Sequence, residues 1–149
     1  MNDARAFPRE LARGVGRALA QRGFVTLTEV TLANGRRADV MALGRDGALL
    51  IVEVKSSVAD FRSDRKWQEY RAFCDRLSFA VPEEFPKELI PAECGLIVAD
   101  GFGAHILREG VPEPLVAARR RALTLRLARL AASRLGRLLD PAAQEPEPD

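Results

Sequence analysis

The fold is decided by residues 48–55, which read ALLIVEVK. The stretch is apolar at both odd and even positions through Val52, which predicts a strand covered on both faces in the middle of a sheet. Its end carries two charges, Glu53 and Lys55, and the two-residue period of a strand places both on one face. Because burying an unpaired charge is costly, these side chains indicate a partner group nearby.

The segments on either side predict an α/β chain with a mixed sheet. The expected order is helix, three-stranded meander, helix, strand, strand pair and long C-terminal helix, which is typical of helices packed on a sheet. Asn34-Gly35 predicts the first hairpin turn, and residues 83–91 predict an irregular stretch or short helix. The predicted helices are 8–23, 64–76 and 115–139, and the predicted strands are 24–32, 37–43, 48–55, 77–81, 95–99 and 104–108.

Length and composition favour one ordinary globular domain. A chain of 149 residues that is 47% apolar can bury one full core. We expect that domain to span residues 1–140, followed by a disordered acidic tail over 141–149. No apolar run is long enough for a membrane span, and the first ten residues lack a secretory signal, which favours the cytoplasm. Two cysteines and one histidine argue against a disulfide scaffold and against most zinc sites.

Charge is unevenly distributed along the chain. Residues 1–114 carry 16 basic and 17 acidic side chains, which sum to −1, whereas residues 115–139 carry seven arginines and no acid. An arginine-rich helix of this kind favours an anionic partner, and DNA is the partner we expect. A membrane-surface helix, a dimerising helix and a packed helix with a solvated basic face remain alternatives.

The tight turn at residues 44–47 sets the register between the second and third strands. A three-residue loop with glycine at its positive-φ position pairs Gly44 with Ala48. Asp39 then lies directly opposite Glu53 on the same face, where two like charges destabilise the pair. A divalent cation would turn that repulsion into ligation, and carboxylate oxygens suit Mg²⁺, with Mn²⁺ as an alternative. A loop of two or four residues would instead place the carboxylates on opposite faces.

Lys55 is notable because lysine is rare in this chain, which has 20 arginines and three lysines. A lysine beside two carboxylates is therefore less easily explained as generic positive charge. An ammonium group can orient water or help to deprotonate it, whereas arginine does not lose its proton. This indicates a chemical role for Lys55, and a structural ion pair is the simpler alternative.

These residues resemble a known superfamily. Asp39, a turn, and then Glu53-Val54-Lys55 on the next strand are similar to the motif of PD-(D/E)XK nucleases, with Ala38 in place of the proline. The stretch 63–70, SDRKWQEY, followed by CDR at 74–76 and FAV at 79–81, resembles the MmcB family of bacterial DNA-repair proteins over roughly residues 8–140. The resemblance implies a restriction-endonuclease-like α-β-β-β-α-β core with a mixed sheet flanked by helices.

The same resemblance implies roles for particular residues. Asp39 and Glu53 would bind Mg²⁺, the carbonyl of Val54 would face the metal, and Lys55 would help to activate water. Glu10, on the first helix, matches the position of a further metal-binding glutamate in many members, and a first-turn acid favoured by the helix dipole explains it equally well.

An accessory catalytic role is also implied for Gln68. Trp67 and Tyr70 are three residues apart and share a face, so they are better explained as packing aromatics. Asp64, at the start of the same stretch, is better explained as a cap or a solvated charge than as a ligand.

Taken together, the residues and the resemblance predict a Mg²⁺-dependent DNA nuclease acting in repair. The alternative is a catalytically silent DNA-binding or scaffolding protein that keeps the fold, and an RNA-processing nuclease is a third. The oligomeric state stays open, with a homodimer as one alternative.

Overall fold

A computed structural model describes residues 7–142 as a six-stranded mixed sheet with helices on both faces. The strands lie in chain order, so each strand pairs with its neighbour in sequence. Pairing is antiparallel for the first three strands, parallel from the third to the fifth, and antiparallel for the last pair. The helices are α1 (Pro8–Gln21), α2 (Val58–Ser63) and α3 (Ala117–Leu139), and the strands are β1 (Val25–Thr31), β2 (Arg37–Leu43), β3 (Leu49–Val54), β4 (Arg76–Val81), β5 (Gly95–Ala99) and β6 (Ala104–Arg108).

The sheet separates two apolar layers. On one face, α1 packs Leu11, Val15 and Leu19 against small and β-branched strand residues such as Val40 and Val52. The other face is covered by α3, by the 3₁₀ helix Trp67–Phe73 and by the loop around Phe85. As predicted, β3 lies inside the sheet, between β2 and β4.

The β2–β3 hairpin has the predicted register. Gly44 N donates to Ala48 O at 2.9 Å, and Gly47 has a φ of +88°, the left-handed conformation that glycine adopts readily. Val40 pairs with Val52, and the same alignment extended by one residue sets Asp39 opposite Glu53. The prediction on which the carboxylate pair depends is therefore confirmed.

The helix predicted over residues 64–76 is confirmed only over Trp67–Phe73, as a 3₁₀ helix, and its predicted ends are wrong. The α-helix α2 comes earlier, with the Ser57 hydroxyl accepting a hydrogen bond from Asp60 N at its start, and it ends at Ser63. Asp64 is extended, and its Oδ1 accepts a hydrogen bond from Lys66 N at 3.1 Å, which competes with a continuing helix. A 3₁₀ helix follows over Trp67–Phe73, and the chain is already in β4 at Arg76.

The C-terminal helix α3 is buried only along its first half. Leu123 and Leu127 are in the core, whereas Leu135 and Leu138 are 56% and 80% exposed, although the sequence pattern placed them on the same apolar side. The predicted disordered tail falls largely on residues 143–149, outside the described residues. Across residues 7–142, no helix is both long and apolar enough to cross a membrane.

Candidate active site

Strands β2 and β3 separate at the end that carries the acidic side chains. Their last regular pair is Val40 with Val52, although both strands continue beyond it. A regular antiparallel ladder would next direct Val54 N to the carbonyl of Ala38. Instead, Val54 N donates to Asp39 Oδ2 at 2.8 Å. A side-chain carboxylate thus takes the place of a strand carbonyl where the strands part.

The two acidic residues are linked crosswise through the backbone. Asp39 accepts from Val54 N, and Asp39 N donates to Glu53 Oε1 at 3.1 Å. Within the described residues these bonds use one oxygen of each carboxylate, so the second oxygen of each can accept another partner. The bonds fix two carboxylates side by side on rigid strands, which is the form in which proteins present oxygen ligands to hard cations.

Strand β1 is distorted directly beside this pair. Thr28 pairs with Val40 of β2 and Val30 pairs with Ala38, but Glu29 between them has a φ of +53°. Among residues 7–142 it is the one non-glycine residue with a positive φ. The distortion interrupts the β1–β2 ladder opposite Asp39, whose N–H is thereby left to bind Glu53.

The burial of Glu53 has an electrostatic consequence. Its side chain is almost fully enclosed, at 3% exposure, and Phe79 lies beside it in the parallel register of β4. Burial and the neighbouring Asp39 carboxylate raise the pKa of Glu53 to about 9, and the Asp39 N–H and Lys55 offset this only in part. Two neighbouring carboxylates repel each other in their charged forms, and a cation bound between them would remove that repulsion.

Lys55 lies next along β3 and is held by Asp64. Its Nζ lies 2.8 Å from Asp64 Oδ2, and both side chains are largely enclosed. Burial would raise the pKa of Asp64, but the hydrogen bond from Lys55 and the Lys66 N–H lower it below its usual range. The ammonium group is therefore fixed in place at the end of the strand that carries Glu53.

The 3₁₀ helix Trp67–Phe73 fastens the start of β2 next to the carboxylates. The Tyr70 hydroxyl donates to Arg37 O at 2.9 Å, and Arg36 forms an ion pair with Glu69 at 2.7 Å. Burial and the nearby carboxylates raise the pKa of Tyr70, so its proton stays in this hydrogen bond. Trp67 packs edge-on against Phe79 at 5.5 Å between ring centroids, and Tyr70 is buried in the same apolar cluster. The packing role expected for Trp67 and Tyr70 is therefore confirmed.

The remaining predicted site residues, Glu10 and Gln68, make no hydrogen bond with Asp39 or Glu53 within residues 7–142. Gln68 is exposed on the 3₁₀ helix, on a different side from buried Tyr70. Glu10 is half-buried on α1 near Gly101, at the turn between β5 and β6. In the part of the chain that the structure describes, no three or more acidic, histidine or cysteine side chains form a cluster able to hold a metal. Roles for Glu10 and Gln68 stay predictions.

The donor set fits Mg²⁺ or Mn²⁺ in its chemistry. Asp39 and Glu53 supply hard anionic oxygens, and the Val54 residue between Glu53 and Lys55 has a main-chain carbonyl of the same oxygen type. Mg²⁺ commonly binds one or two carboxylates and keeps several waters, so two acidic side chains suffice for it.

Most described arginines of α3 are engaged with the protein itself. Arg120 forms a two-pronged ion pair with Asp75 at 2.6 Å, and Arg119 lies over the Phe73 ring. Arg126 donates to Thr31 O, and Arg134 donates to the carbonyls of β1. These four side chains hold the helix to β1, to the turn before β3 and to the segment before β4, which is not the use expected of a free DNA-binding face.

Sequence reasoning missed two contributions to the site. Asp64 was expected to be a cap or a solvated charge, and it is also the partner that holds Lys55. The left-handed conformation of Glu29, whose carbonyl accepts a hydrogen bond from Arg134 of α3, was not predicted. Asp64 has a weak local signal, because it is the first acidic residue after the short helix that follows Lys55. The second depends on a contact 105 residues apart in sequence, which has no local signal.

The chain is similar in sequence to a known family and in fold to a solved structure. The sequence profile of the family described as "DNA repair protein MmcB-like" matches residues 3–142. A solved structure, the SPO1766 protein of unknown function from Silicibacter pomeroyi, is 47% identical. The alignment covers 92% of this chain and 94% of that one, with a TM-score of 0.89. No curated protein matches this chain. On the strength of the profile match over nearly its whole length, the chain belongs to the MmcB-like family of DNA repair proteins.

Proposed function

We propose that this DNA-repair protein is a Mg²⁺-dependent DNA hydrolase built on a restriction-endonuclease-like core. The observation that carries the proposal is the crosswise pair of Asp39 and Glu53 at the point where two central strands part. The pair is followed by a buried lysine on the same strand, in the spacing of the PD-(D/E)XK motif. The family's connection with DNA repair supports DNA as the substrate.

The carboxylate pair would hold the ion, with the carbonyl of Val54 as a third oxygen. When bound, Mg²⁺ supplies Lewis-acid chemistry, withdrawing charge from a phosphate oxygen and making water easier to deprotonate. The raised pKa of Glu53 supports this assignment, since burial of two adjacent carboxylates is costly unless a cation accompanies them.

Lys55 would act on the water and on the developing negative charge. Its ammonium group is fixed by Asp64 at the end of β3, so it can donate hydrogen bonds without a search through rotamers. Two of its three protons remain for a water molecule and a phosphate oxygen after the bond to Asp64. Arg at this position would keep the charge but change the shape and the number of donors.

The second candidate is a DNA-binding protein that keeps the fold without cutting. The observation in its favour is that, within the described residues, no three acidic, histidine or cysteine side chains form a group able to hold a metal. Such a protein would bind DNA in the presence of a chelator as well as with Mg²⁺. A hydrolase would lose cleavage, but not DNA binding, when the ion is removed.

The deciding experiment pairs cleavage with metal binding. Labelled single-stranded, duplex and branched DNAs are incubated with Mg²⁺ or Mn²⁺ and the wild type, Asp39→Asn, Lys55→Ala or the control Glu109→Gln, whose carboxylate is exposed and paired with Arg76. Mn²⁺ affinity of each protein is measured separately by calorimetry. If the protein is a hydrolase, the wild type should cleave DNA and both Asp39→Asn and Lys55→Ala should abolish cleavage. Mn²⁺ binding should be weaker in Asp39→Asn, and the control should behave like the wild type. Absence of Mn²⁺ binding by the wild type, or cleavage equal in wild type and variants, would refute it.

A further inference from the structure

The face of α1 that is turned away from the core carries a row of three arginines, Arg9, Arg13 and Arg17. They are spaced four residues apart, so they lie along one side of the helix, with a rise of about 6 Å between neighbours. Every second phosphate along one DNA strand advances by about 7 Å of helix axis, so the spacing of the row suits a phosphate backbone. We call these three residues the α1 arginine row.

The row borders a cleft between α1 and the edge of the sheet. The cleft has a volume of about 670 Å³, and the helix side is formed by small residues at Ala12, Gly16 and Ala20. A side chain at Gly16 would meet the Thr26 hydroxyl at 3.3 Å, so the glycine keeps this passage open. The cleft is open to solvent along the row.

The same cleft reaches the carboxylate pair. Asp39 and Val54, two of the proposed metal-binding residues, line it together with the arginines. Glu29 also lines it, so the acidic side chains of the cleft belong to the strands and the arginines belong to the helix. A DNA strand lying along the row would therefore run beside the wall of the cleft that contains Asp39.

The row is available to a ligand, in contrast to the arginines of α3. Arg9 and Arg13 are exposed and make no ion pair or hydrogen bond with any residue from 7 to 142. Arg17 makes one hydrogen bond, from its Nη1 to Phe102 O at 3.2 Å. Four α3 arginines, by comparison, are bound to Asp75, to backbone carbonyls or to an aromatic ring.

We propose that the α1 arginine row binds the phosphate backbone of a DNA strand and leads it along the cleft to Asp39. This inference rests on the proposed function, because it takes the carboxylate pair as the place where that strand is cut. The row supplies affinity without reading sequence, since phosphate contacts position a protein on DNA and base contacts specify the site. It also moves the expected DNA contact from α3 to α1.

The test measures DNA binding without cleavage. Fluorescence anisotropy with a labelled single strand and its duplex is recorded in EDTA over a range of salt for the wild type, Arg13→Gln and Arg9→Gln/Arg13→Gln. Arg121→Gln is the matched control, because Arg121 is also an exposed helical arginine without a partner among the described residues but lies on α3. All three positions are on helix surfaces that tolerate glutamine, so folding is retained.

The double variant should bind DNA at least tenfold more weakly at low salt. Its slope of log affinity against log salt should be smaller by about 1.4 to 1.8, as expected for two lost phosphate contacts. Arg121→Gln should stay within twofold of the wild type. Wild-type DNA affinity in the double variant, or an equal loss of affinity in Arg121→Gln, would overturn the proposal that the α1 arginine row binds DNA. If the wild type binds DNA through the α1 arginine row but cleaves no DNA with Mg²⁺, the DNA-binding proposal is supported. Only the proposed hydrolase activity is then refuted.

Discussion

Arg134 on α3 donates to the carbonyl of Glu29 at 2.8 Å, across 105 residues of sequence, and also to Thr28 O at 2.6 Å. Glu29 is the left-handed residue that interrupts the β1–β2 ladder opposite Asp39. The guanidinium therefore holds β1 in the conformation that frees the Asp39 N–H for Glu53. A helix far from the site in sequence thus takes part in setting the position of a proposed metal ligand.

Replacing Arg134 by Ala should weaken both the fold and the site. Loss of two hydrogen bonds from a partly exposed cation should lower the free energy of unfolding by about 1–2 kcal/mol. Because β1 can then regain regular pairing with Asp39, Mn²⁺ affinity should fall as well. Urea unfolding and calorimetry with Mn²⁺ measure the two effects. A stability loss with unchanged Mn²⁺ affinity would limit Arg134 to a packing role.

Glu29→Gly should stabilise the protein by about 0.5 kcal/mol. The left-handed conformation costs a residue with a Cβ about 1–2 kcal/mol, and glycine avoids that cost but gains entropy in the unfolded chain. The net effect is small and favourable. Urea unfolding measures it, with Val25→Gly, at an exposed and regular position of the same strand, as the control that should be destabilised. If Glu29→Gly lost as much stability as Val25→Gly, the backbone strain inferred at Glu29 would be contradicted.

Glu53→Gln should make the metal-free protein more stable at pH 7, by about 1–3 kcal/mol. The folded-state pKa of about 9 lies above the ordinary value of 4.5, so the folded protein binds more protons than the unfolded chain between these values. Stability of the wild type should accordingly fall as pH rises from 5 to 9, whereas glutamine removes this dependence. Thermal unfolding in EDTA across that range measures both effects. A variant less stable than the wild type at pH 7 would contradict the raised pKa of Glu53 that burial and Asp39 produce.

Asp75→Asn should lower the free energy of unfolding by about 2–4 kcal/mol at pH 7. Asp75 accepts hydrogen bonds from Leu49 N and Leu115 N and pairs with Arg120, so it joins β3 to the start of α3. Burial would raise its pKa, but Arg120 and the two N–H groups lower it to about 2. A depressed carboxyl pKa stabilises above its unfolded value of 3.8 and loses that contribution as pH falls toward 2.

The check for Asp75 is chemical unfolding between pH 2 and 7. The wild type should lose more stability than Asp75→Asn as the solution is acidified. Glu109→Gln is the control, since Glu109 is an exposed acid paired with Arg76 and should contribute about 0–1 kcal/mol. Parallel acid profiles in wild type and Asp75→Asn would contradict the role of Asp75.

Asp64→Asn should slow DNA cleavage by about 10- to 100-fold, the range seen when outer partners of a site residue are removed. The amide keeps the shape of the side chain but loses the charge that holds Lys55. Mn²⁺ affinity should change little, because Asp39 and Glu53 are untouched. Single-turnover cleavage and Mn²⁺ calorimetry separate the two quantities. An equal loss of Mn²⁺ affinity would place Asp64 among the metal ligands.

The strand pattern of this protein could be predicted largely from local sequence. Bounds for β2, β5 and β6 agree with those expected, because alternation and glycine turns mark strand ends in short, regular hairpins. The hairpin register followed from one turn, and with it the meeting of Asp39 and Glu53. These features depend on residues close in sequence, so the sequence contains the information needed to predict them.

Other features depend on contacts that no local pattern encodes. The 64–76 segment has helix-forming residues, yet Asp64 is extended and bound to Lys55, so a tertiary contact overrides propensity. The arginines of α3 have the composition of a DNA-binding face, but composition does not tell whether a guanidinium will meet a phosphate or a carbonyl of its own chain. Only the packed structure separates these uses.

The α3 arginines have a consequence for assembly. Strand β1 is an edge strand, and an unprotected edge can pair with a strand from another molecule. Arg126 and Arg134 occupy carbonyls at Thr31, Thr28 and Glu29, so an incoming strand would have to displace both guanidinium groups. A planar guanidinium can bridge two carbonyls at once, as Arg134 does, which a lysine ammonium does less well. The arginines of α3 therefore protect the β1 edge of the sheet from pairing with a strand of another molecule.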